Sequence, residues 1–229
     1  MADVKRQYDG TARRARAEKV RESLIETARA MLVADGYAAL TVPKVAQACG
    51  VSVESVYKRF AGKAALVRAV VEQALRGAGP VAAETRSDAL RADDLQGLLQ
   101  GWGRLSAEVG PRVAPILLIL DAGAEHDREL ADLDRELEEG RRARMTENAL
   151  RLADAGHVPP ALSVTRVADI LLTYSSPQLY DLLVIRSAWT LDEYADFISV
   201  GIAAQLSAGA AQTDTRNDDT ASSDSGTIR

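Results

Sequence analysis

The segment Thr41–Lys63 constrains the fold more than any other stretch, because it predicts two short helices joined by a tight turn. Thr41 can cap the first helix, and Pro43 lies in its first turn, where a missing N–H costs little. Gly50 occupies the turn, where the backbone needs a residue that tolerates positive φ. Ser52 can cap the second helix. The residues predicted to face inwards are small or apolar: Val45, Ala46, Val51 and Val56.

Two helices in this arrangement are typical of a helix-turn-helix, whose second helix enters the major groove of DNA. On that second helix, about residues 52–60, a Lys can read guanine acceptors and a Glu can accept from cytosine N4. Nearby hydroxyl and basic groups can bind phosphate oxygens, and such contacts fix the register of the protein on the duplex. The candidates for base edges are Val53, Glu54, Ser55 and Lys58. The candidates for phosphates are Thr41, Lys44, Tyr57, Arg59 and Lys63.

Two alternatives stay open at this point. The helix-turn-helix can serve as a packing unit only, although its outward positions combine groove-sized and basic residues. The carboxylate of Glu54 can repel phosphates and so act only to reject wrong sequences.

The run V-A-Q-A-C-G-V-S-V-E-S-V-Y-K-R-F-A-G-K-A-A-L, which begins at Val45, resembles the signature of the tetracycline-repressor (TetR) family of transcriptional regulators. The resemblance covers residues 17–75. Cys49 stands where the family usually has Ala, and Arg59 stands where it often has His. The resemblance implies that Thr41, Tyr57 and Lys63 contact phosphates, and that the helix after the motif links the reading head to a ligand domain.

A second resemblance lies near the C-terminus, in S-P-Q-L-Y-D-L-L-V followed by A-W-T-L-D-E-Y-A-D-F. These runs are similar to a signature of one branch of the same family. Ser187 and Ala188 stand where that branch usually has a Gly before the Trp.

The formal net charge of −5 is divided unevenly along the chain. Residues 1–70 carry 13 Lys/Arg and 7 Asp/Glu, a balance of +6, whereas residues 71–229 carry 15 and 26, a balance of −11. The positive charge therefore accompanies the predicted DNA-reading motif, and we expect the acidic remainder to point away from the duplex.

Composition and spacing predict an all-α chain, since no run alternates β-branched residues between turns. We expect a flexible basic arm at 1–16, a helix-turn-helix domain at 17–76, a helical ligand-binding and dimerisation domain at 80–207, and a disordered tail at 208–229. The arm is either a solvated tail or an element that adds DNA contacts. Gly110-Pro111 is predicted to separate two helices.

The apolar segments at 163–174 and 177–206 predict a homodimer. A single helix-turn-helix reads too few bases for useful specificity, whereas a two-fold dimer reads a palindrome. The apolar surface of these segments is larger than one helix face should show, and a four-helix bundle between two subunits would cover it. The alternative is that they form the core of one subunit.

A small-molecule pocket is expected between the helices of about residues 80–175. For each candidate the sequence favours an ordinary core or surface role over a role in the pocket. The candidates for the lining are Trp102, Leu117, Met145, Tyr174 and Gln178.

Catalytic and metal sites are not predicted. The two histidines, His126 and His157, lack partners at ligand spacing, and no nucleophile, base and orienting group form a set. Asp127 and the acidic residues after it are predicted to form a solvated helix face. No cofactor is expected.

The sequence lacks a run of about 18 apolar residues, begins with charged residues and has a single cysteine, so we expect a cytoplasmic protein. We therefore predict a dimeric, ligand-responsive regulator, a repressor released from a palindromic operator by a small molecule. The alternatives are a ligand-independent DNA-binding or architectural protein, and a helical domain with enzymatic activity on its bound ligand.

Overall fold

The computed structural model describes residues 10–221, and all the regular secondary structure in that range is helical, which confirms the all-α prediction. Residues 1–9 and 222–229 lie outside the described range. The α-helices are α1 (Gly10–Ala39), α2 (Val42–Ala48), α3 (Val53–Tyr57), α4 (Lys63–Leu75), α5 (Ala83–Asp88), α6 (Leu95–Ala124), α7 (Arg128–Asp154), α8 (Val164–Tyr174), α9 (Pro177–Tyr180) and α10 (Leu191–Ala221), with a π-helical segment (Asp181–Arg186) before α10.

The ends of α1 and α10 lie beyond the predicted helix bounds. Helix α1 begins at Gly10, so residues 10–16 of the predicted arm are helical. Its backbone departs from helical geometry at Gly36, where φ is 78°. Helix α10 continues to Ala221 and so enters the segment 208–229 for which disorder is predicted.

Helices α1–α4 form the N-terminal head around a first hydrophobic cluster. Leu24, Leu40 and Leu66 are fully buried there, as is Val45 of α2. The cluster also includes residues from the second half of the chain, namely Val113, Ile116 and Leu120 of α6 and Leu130 and Leu133 of α7. The head therefore completes its core with α6 and α7, across the sequence boundary predicted at 77–79.

A second hydrophobic cluster holds the body of the protein together. Leu98, Leu99 and Trp102 of α6 pack with residues of α7, α8 and α10. Helix α10 begins with a capping box: the Thr190 N–H donates to Glu193 Oε2 at 2.8 Å, and the Glu193 N–H donates to Thr190 Oγ1 at 3.2 Å.

The prediction that Gly110-Pro111 separates two helices is wrong, because α6 runs without interruption through Pro111 and Pro115. Gly110 serves close packing instead: a Cβ there would lie 2.7 Å from Cδ2 of Tyr180. Burial along α6, with Val113, Ala114 and Ile116 all in hydrophobic clusters, offsets the cost of the missing prolyl N–H groups. A single helix thus belongs to both clusters.

In the part of the chain that the structure describes, no helix is both long and apolar enough to cross a membrane.

Candidate nucleic-acid interface

The turn between α2 and α3 is built by the local chemistry that the sequence predicts. The Thr41 hydroxyl accepts from the Lys44 N–H at 3.4 Å and caps α2, and the Ser52 hydroxyl accepts from the Ser55 N–H at 3.1 Å and caps α3. Gly50 has φ 65°, a conformation that glycine adopts without strain. Val56 of α3 is fully buried, which fixes the inner face of the helix and leaves the opposite face in solvent.

Helix α3 is shorter than predicted, ending at Tyr57 rather than near residue 60. The Lys58 N–H still donates to the Glu54 carbonyl at 2.9 Å, and the Phe60 N–H donates to the Val56 carbonyl at 2.9 Å. The turns beyond Tyr57 therefore continue the same direction, and the buried Phe60 anchors them to the head.

The four candidates for base edges lie together on or directly after α3. The side chains of Glu54 and Lys58 are about three-quarters exposed and form an ion pair, with Lys58 Nζ 2.8 Å from Glu54 Oε1. Val53 is exposed, whereas Ser55 is half-buried and its hydroxyl lies 2.9 Å from that of Ser52. Because the ion pair is exposed, it contributes little to stability and can open to offer both charges to bases.

The candidates for phosphates differ in how far they are already engaged. Tyr57 is 55% exposed and is the most accessible aromatic ring of this surface. Lys44 donates from Nζ to the Ala39 carbonyl at 2.9 Å, and Arg59 donates from Nη1 to the Ser55 carbonyl at 2.8 Å. Both basic side chains thus cap helix ends within the head while their charges stay at its surface.

Lys63, the first residue of α4, lies against an aromatic face that the sequence does not predict. Its Nζ is 3.6 Å from the centroid of the Tyr37 ring. Burial lowers the pKa of Lys63, while the negative charges of Asp127 and Glu129 oppose that change. The acidic first turn of α7 therefore acts on a predicted phosphate ligand, although it is 64 residues away in the sequence.

Tyr37 itself is only 5% exposed, and its hydroxyl is buried without a hydrogen-bond partner among the described residues. Burial, followed by the charges of Glu129 and Asp127, raises the pKa of Tyr37 to about 12. The ring is consequently neutral at any physiological pH and offers Lys63 its π face.

The N-terminal part of α1 adds positive charge beside this surface. Arg21 lies over the Phe60 ring at 5.8 Å from its centroid, so α1 passes the end of α3 at this point. Towards the N-terminus from Arg21, the exposed residues include Arg14, Arg16 and Lys19. The exposed N-terminal part of α1 therefore carries more basic than acidic residues.

The family comparison agrees with this geometry. Residues 24–70 match the model described as "Bacterial regulatory proteins, tetR family". The matched range includes most of α1, all of α2 and α3, and the first half of α4. Residues 24–70 therefore belong to the tetR family of bacterial regulatory proteins. The TetR family consists of DNA-binding regulators and not of enzymes.

Solved structures share the fold of this chain over most of its length. A structure described as a TetR-family transcriptional regulator from Rhodococcus sp. is 15% identical, with a TM-score of 0.63, over 82% of this chain and 99% of that one. A transcriptional regulator from Pseudomonas aeruginosa PAO1 is 21% identical, with a TM-score of 0.65, over 86% and 94%. No curated protein sequence matches the chain.

The five candidates for a ligand pocket are divided between the two clusters. Leu117 packs against the first cluster, whereas Trp102, Met145 and Tyr174 belong to the second. The Trp102 N–H donates to the Ser87 hydroxyl at 3.0 Å, which joins α5 to α6, and Gln178 approaches Asp121 at 3.5 Å. Two open clefts among the described residues lie elsewhere, one beside Gly77 and Pro80 and the other between α1 and α2.

Proposed function

We propose that this regulator binds a palindromic DNA operator as a homodimer, represses transcription there, and is released by a small molecule bound in its body. The observation that carries the proposal is the face of α3, on which Glu54 and Lys58 are exposed while Val56 anchors the helix from behind. A capped helix with one buried face and one polar face suits insertion into a major groove.

Contacts with the duplex follow from the positions of the side chains. Val53, Glu54, Ser55 and Lys58 read base edges, and Thr41, Lys44, Tyr57, Arg59 and Lys63 contact phosphates. The basic part of α1, from Gly10 to Lys19, adds phosphate contacts outside the half-site, because it projects beyond the end of α3 where Arg21 meets Phe60.

The proposed dimer is supported by large apolar side chains that are exposed in the C-terminal third of the chain. Most apolar residues of α8 are buried within the subunit, so that helix offers less surface than its sequence predicts. The π-helical segment and α10 offer more exposed apolar surface than α8 does. Large apolar side chains that remain exposed there, the C-terminal patch, are Leu182, Ile185, Leu191, Phe197 and Val200.

Ligand release is proposed to act through the geometry of the dimer. Half-sites of a palindrome lie about 34–36 Å apart, so both reading heads must keep that separation. Helix α6 packs against α1 and α4 in the head and against α10 in the body, so a ligand that shifts α6 also shifts the head. Such a regulator works in the cytoplasm, where its operator and ligand meet.

The DNA-binding test begins with duplexes selected from a random-sequence library by the native protein. Tyr57→Ala is expected to weaken binding to every selected duplex. Lys63→Ala should do the same and reduce the slope of log K against log salt by about 1. Lys58→Ala should instead relax base preference at one position, at a cost of about 1–3 kcal/mol.

Val81→Ala is a matched control for Tyr57→Ala, since Val81 is also exposed but lies in the linker before α5. Native affinity in Tyr57→Ala at about 0.15 M salt would refute the proposed docking. For the ligand, a thermal-shift screen of small molecules identifies binders, and each is then tested for release of the selected duplex. A chain that binds DNA but is released by none of its binders would be a ligand-independent DNA-binding protein.

A further inference from the structure

Asn148 of α7 is a buried amide that the fold leaves without a partner. The side chain is 5% exposed, and its Oδ1 atom has no hydrogen-bond partner among the described residues. The next residue, Ala149, and Leu152 one turn further on are fully buried in the second cluster. A buried amide oxygen without a partner is rare and costly in a folded protein, so its position is informative.

Asn148 lies on the face of α7 that holds α5. Four residues before it, Arg144 donates from Nη2 to Asp88 Oδ1 at 2.5 Å. Three residues after it, Arg151 donates from Nη1 to the Ser87 carbonyl at 3.1 Å. Residues three and four apart share one face of a helix. The Asn148 amide is therefore on the side of α7 that α5 covers.

Helix α5 also covers Trp102 of α6. The Trp102 N–H donates to the Ser87 hydroxyl at 3.0 Å, and both side chains are buried. Arg144 donates from Nη2 to the same hydroxyl at 3.4 Å. The Trp102 indole and the Asn148 face of α7 consequently meet beneath α5.

Helix α5 is attached to α6 and α7 by polar groups. It has six residues, Ala83–Asp88, and none of them belongs to either hydrophobic cluster. Arg86 forms its fork with Glu108 of α6, and the end of the helix is held by the indole and guanidinium bonds. Because α5 contributes no side chain to these clusters, its end can lift from α6 and α7 while both clusters stay packed.

The charges beside Asn148 constrain what can bind there. The guanidinium of Arg144 is already paired with Asp88, and that of Arg151 is occupied by backbone carbonyls. A charged ligand would have to displace one of these bonds. Asn148 Oδ1 lacks a hydrogen-bond donor, and Met145, which shares its face of α7, packs against the second cluster.

We infer, on the basis of the proposed function, that α5 is a lid over the site of the releasing small molecule, and that this molecule is neutral, with an apolar body and a hydroxyl or N–H group that donates to Asn148 Oδ1. When α5 opens, the Trp102 N–H is also freed and can donate to an oxygen of the ligand. Phenols and small alcohols have this chemistry, because a hydroxyl both donates and accepts. Since α5 follows the linker from α4, its displacement reaches the head.

The first arm of the test compares matched probes on the full chain: phenol and cyclohexanol, their methyl ethers anisole and methoxycyclohexane, and charged benzoate. Trp189→Phe leaves Trp102 as the only tryptophan, so its fluorescence reports binding under α5. At least one hydroxyl probe should bind about five- to tenfold more tightly than its ether and than benzoate, as one added hydrogen bond predicts. Equal affinity within both pairs, or no binding of either hydroxyl probe, would overturn the inference.

The second arm removes the amide. Asn148→Leu keeps a similar volume, and it should raise the Tm because the unpartnered group is no longer buried. The same variant should bind the hydroxyl probe no better than its ether. An unchanged preference for the hydroxyl probe in folded Asn148→Leu would place the site elsewhere.

The third arm tests the lid. Asp88→Asn weakens the bond from Arg144 and so favours the open position of α5. Affinity for the hydroxyl probe should rise about three- to tenfold, because a larger fraction of the protein is competent to bind. Asp93→Asn is the matched control, since Asp93 pairs with Arg91 in the loop after α5 and should leave the affinity unchanged. A native affinity in Asp88→Asn would exclude a lid.

These measurements use the protein without DNA, so the two proposals can fail separately. A bound hydroxyl probe that does not release a selected duplex would refute release from this site and leave the DNA-binding proposal intact. A protein released by other molecules but indifferent to both hydroxyl probes would refute the lid site and leave the proposed function intact.

Discussion

Gly77 is a single residue on which the connection between head and body depends. It has φ 78°, and a Cβ there would lie 2.3 Å from Glu108 Oε1 and 2.9 Å from Arg86 Nη2. Glu108 Oε1 also accepts from the Ala78 N–H at 2.7 Å, so the carboxylate cannot move aside without giving up that bond. Glycine is therefore required here by backbone conformation and by space.

We expect Gly77→Ala to destabilise the protein by about 2–4 kcal/mol, from backbone strain and the loss of charge-assisted hydrogen bonds to Glu108. Gly140→Ala is the matched control. Gly140 lies within α7 with no atom within 4 Å of a Cβ position, so the same substitution should stabilise by about 0.5–1 kcal/mol. Urea unfolding measures both, and equal effects of the two substitutions would contradict the role given to Gly77.

At the scale of helices, the linker between α4 and α5 is held by an ion pair from α6. Arg86 donates from Nη1 to Glu108 Oε2 at 2.8 Å and from Nη2 to Glu108 Oε1 at 2.6 Å, and Arg86 Nε donates to the Val81 carbonyl at 3.2 Å. Glu108 thus joins α6, α5 and the linker. Hydrogen bonds from Arg86 and from the Ala78 N–H lower the pKa of Glu108 to about 2.

A lowered pKa in the folded state means that ionised Glu108 stabilises the fold above its ordinary pKa of 4.5, and that this stability is lost as the pH falls from about 4.5 to 2. We expect Glu108→Gln to have a lower Tm than the native protein at pH 7, with a difference that narrows across that window. Glu139→Gln, on the exposed face of α7, should keep a constant difference. A Glu108→Gln difference that does not change with pH would contradict the assignment.

Some helix bounds could be predicted from the sequence and others could not. The start of α2 follows the Thr41 cap that the sequence predicts, because Thr41 and Pro43 are local signals. The continuity of α6 could not be predicted. Gly110 packs against the Tyr180 ring, and this contact joins residues that are 70 positions apart in the sequence.

In the candidate interface, too, only the features set by local sequence could be predicted. The exposed face of α3 could be predicted, whereas Tyr37 could not be placed beside Lys63 from spacing alone. The predicted solvated helix face therefore includes a residue, Asp127, that caps α7 and acts on the reading head.

At the scale of the whole molecule, the C-terminal patch decides the proposed oligomeric state. Val200 and Ile185 are 66% and 60% exposed. The Phe197 ring contacts the rings of Trp189 and Tyr174, with centroid distances of 5.6 and 5.8 Å. A stable interface buries about 1,600 Å² in total, more than these side chains supply alone. The outer face of α8 and the rest of α10 would complete it.

We expect Val200→Glu to convert a dimer to monomers and to weaken binding to a selected duplex, because a charge at the centre of an apolar interface loses its hydration. The side chain is exposed in the subunit, so the monomer should keep its Tm. Leu150→Glu is the control, since Leu150 of α7 is 47% exposed and lies outside the patch. Sedimentation velocity distinguishes the species. A dimeric Val200→Glu would place the interface elsewhere.

The passage of α6 through both hydrophobic clusters has a consequence for the modularity of this protein. A cut at residues 77–79, the boundary that the sequence predicts, would remove Val113, Ile116 and Leu120 from the first cluster and leave the head with an open apolar face. Chimaeras that transplant the head onto another body should carry the second half of α6 and the start of α7 with it. The segment that has to be transplanted to move the head is therefore discontinuous along the chain.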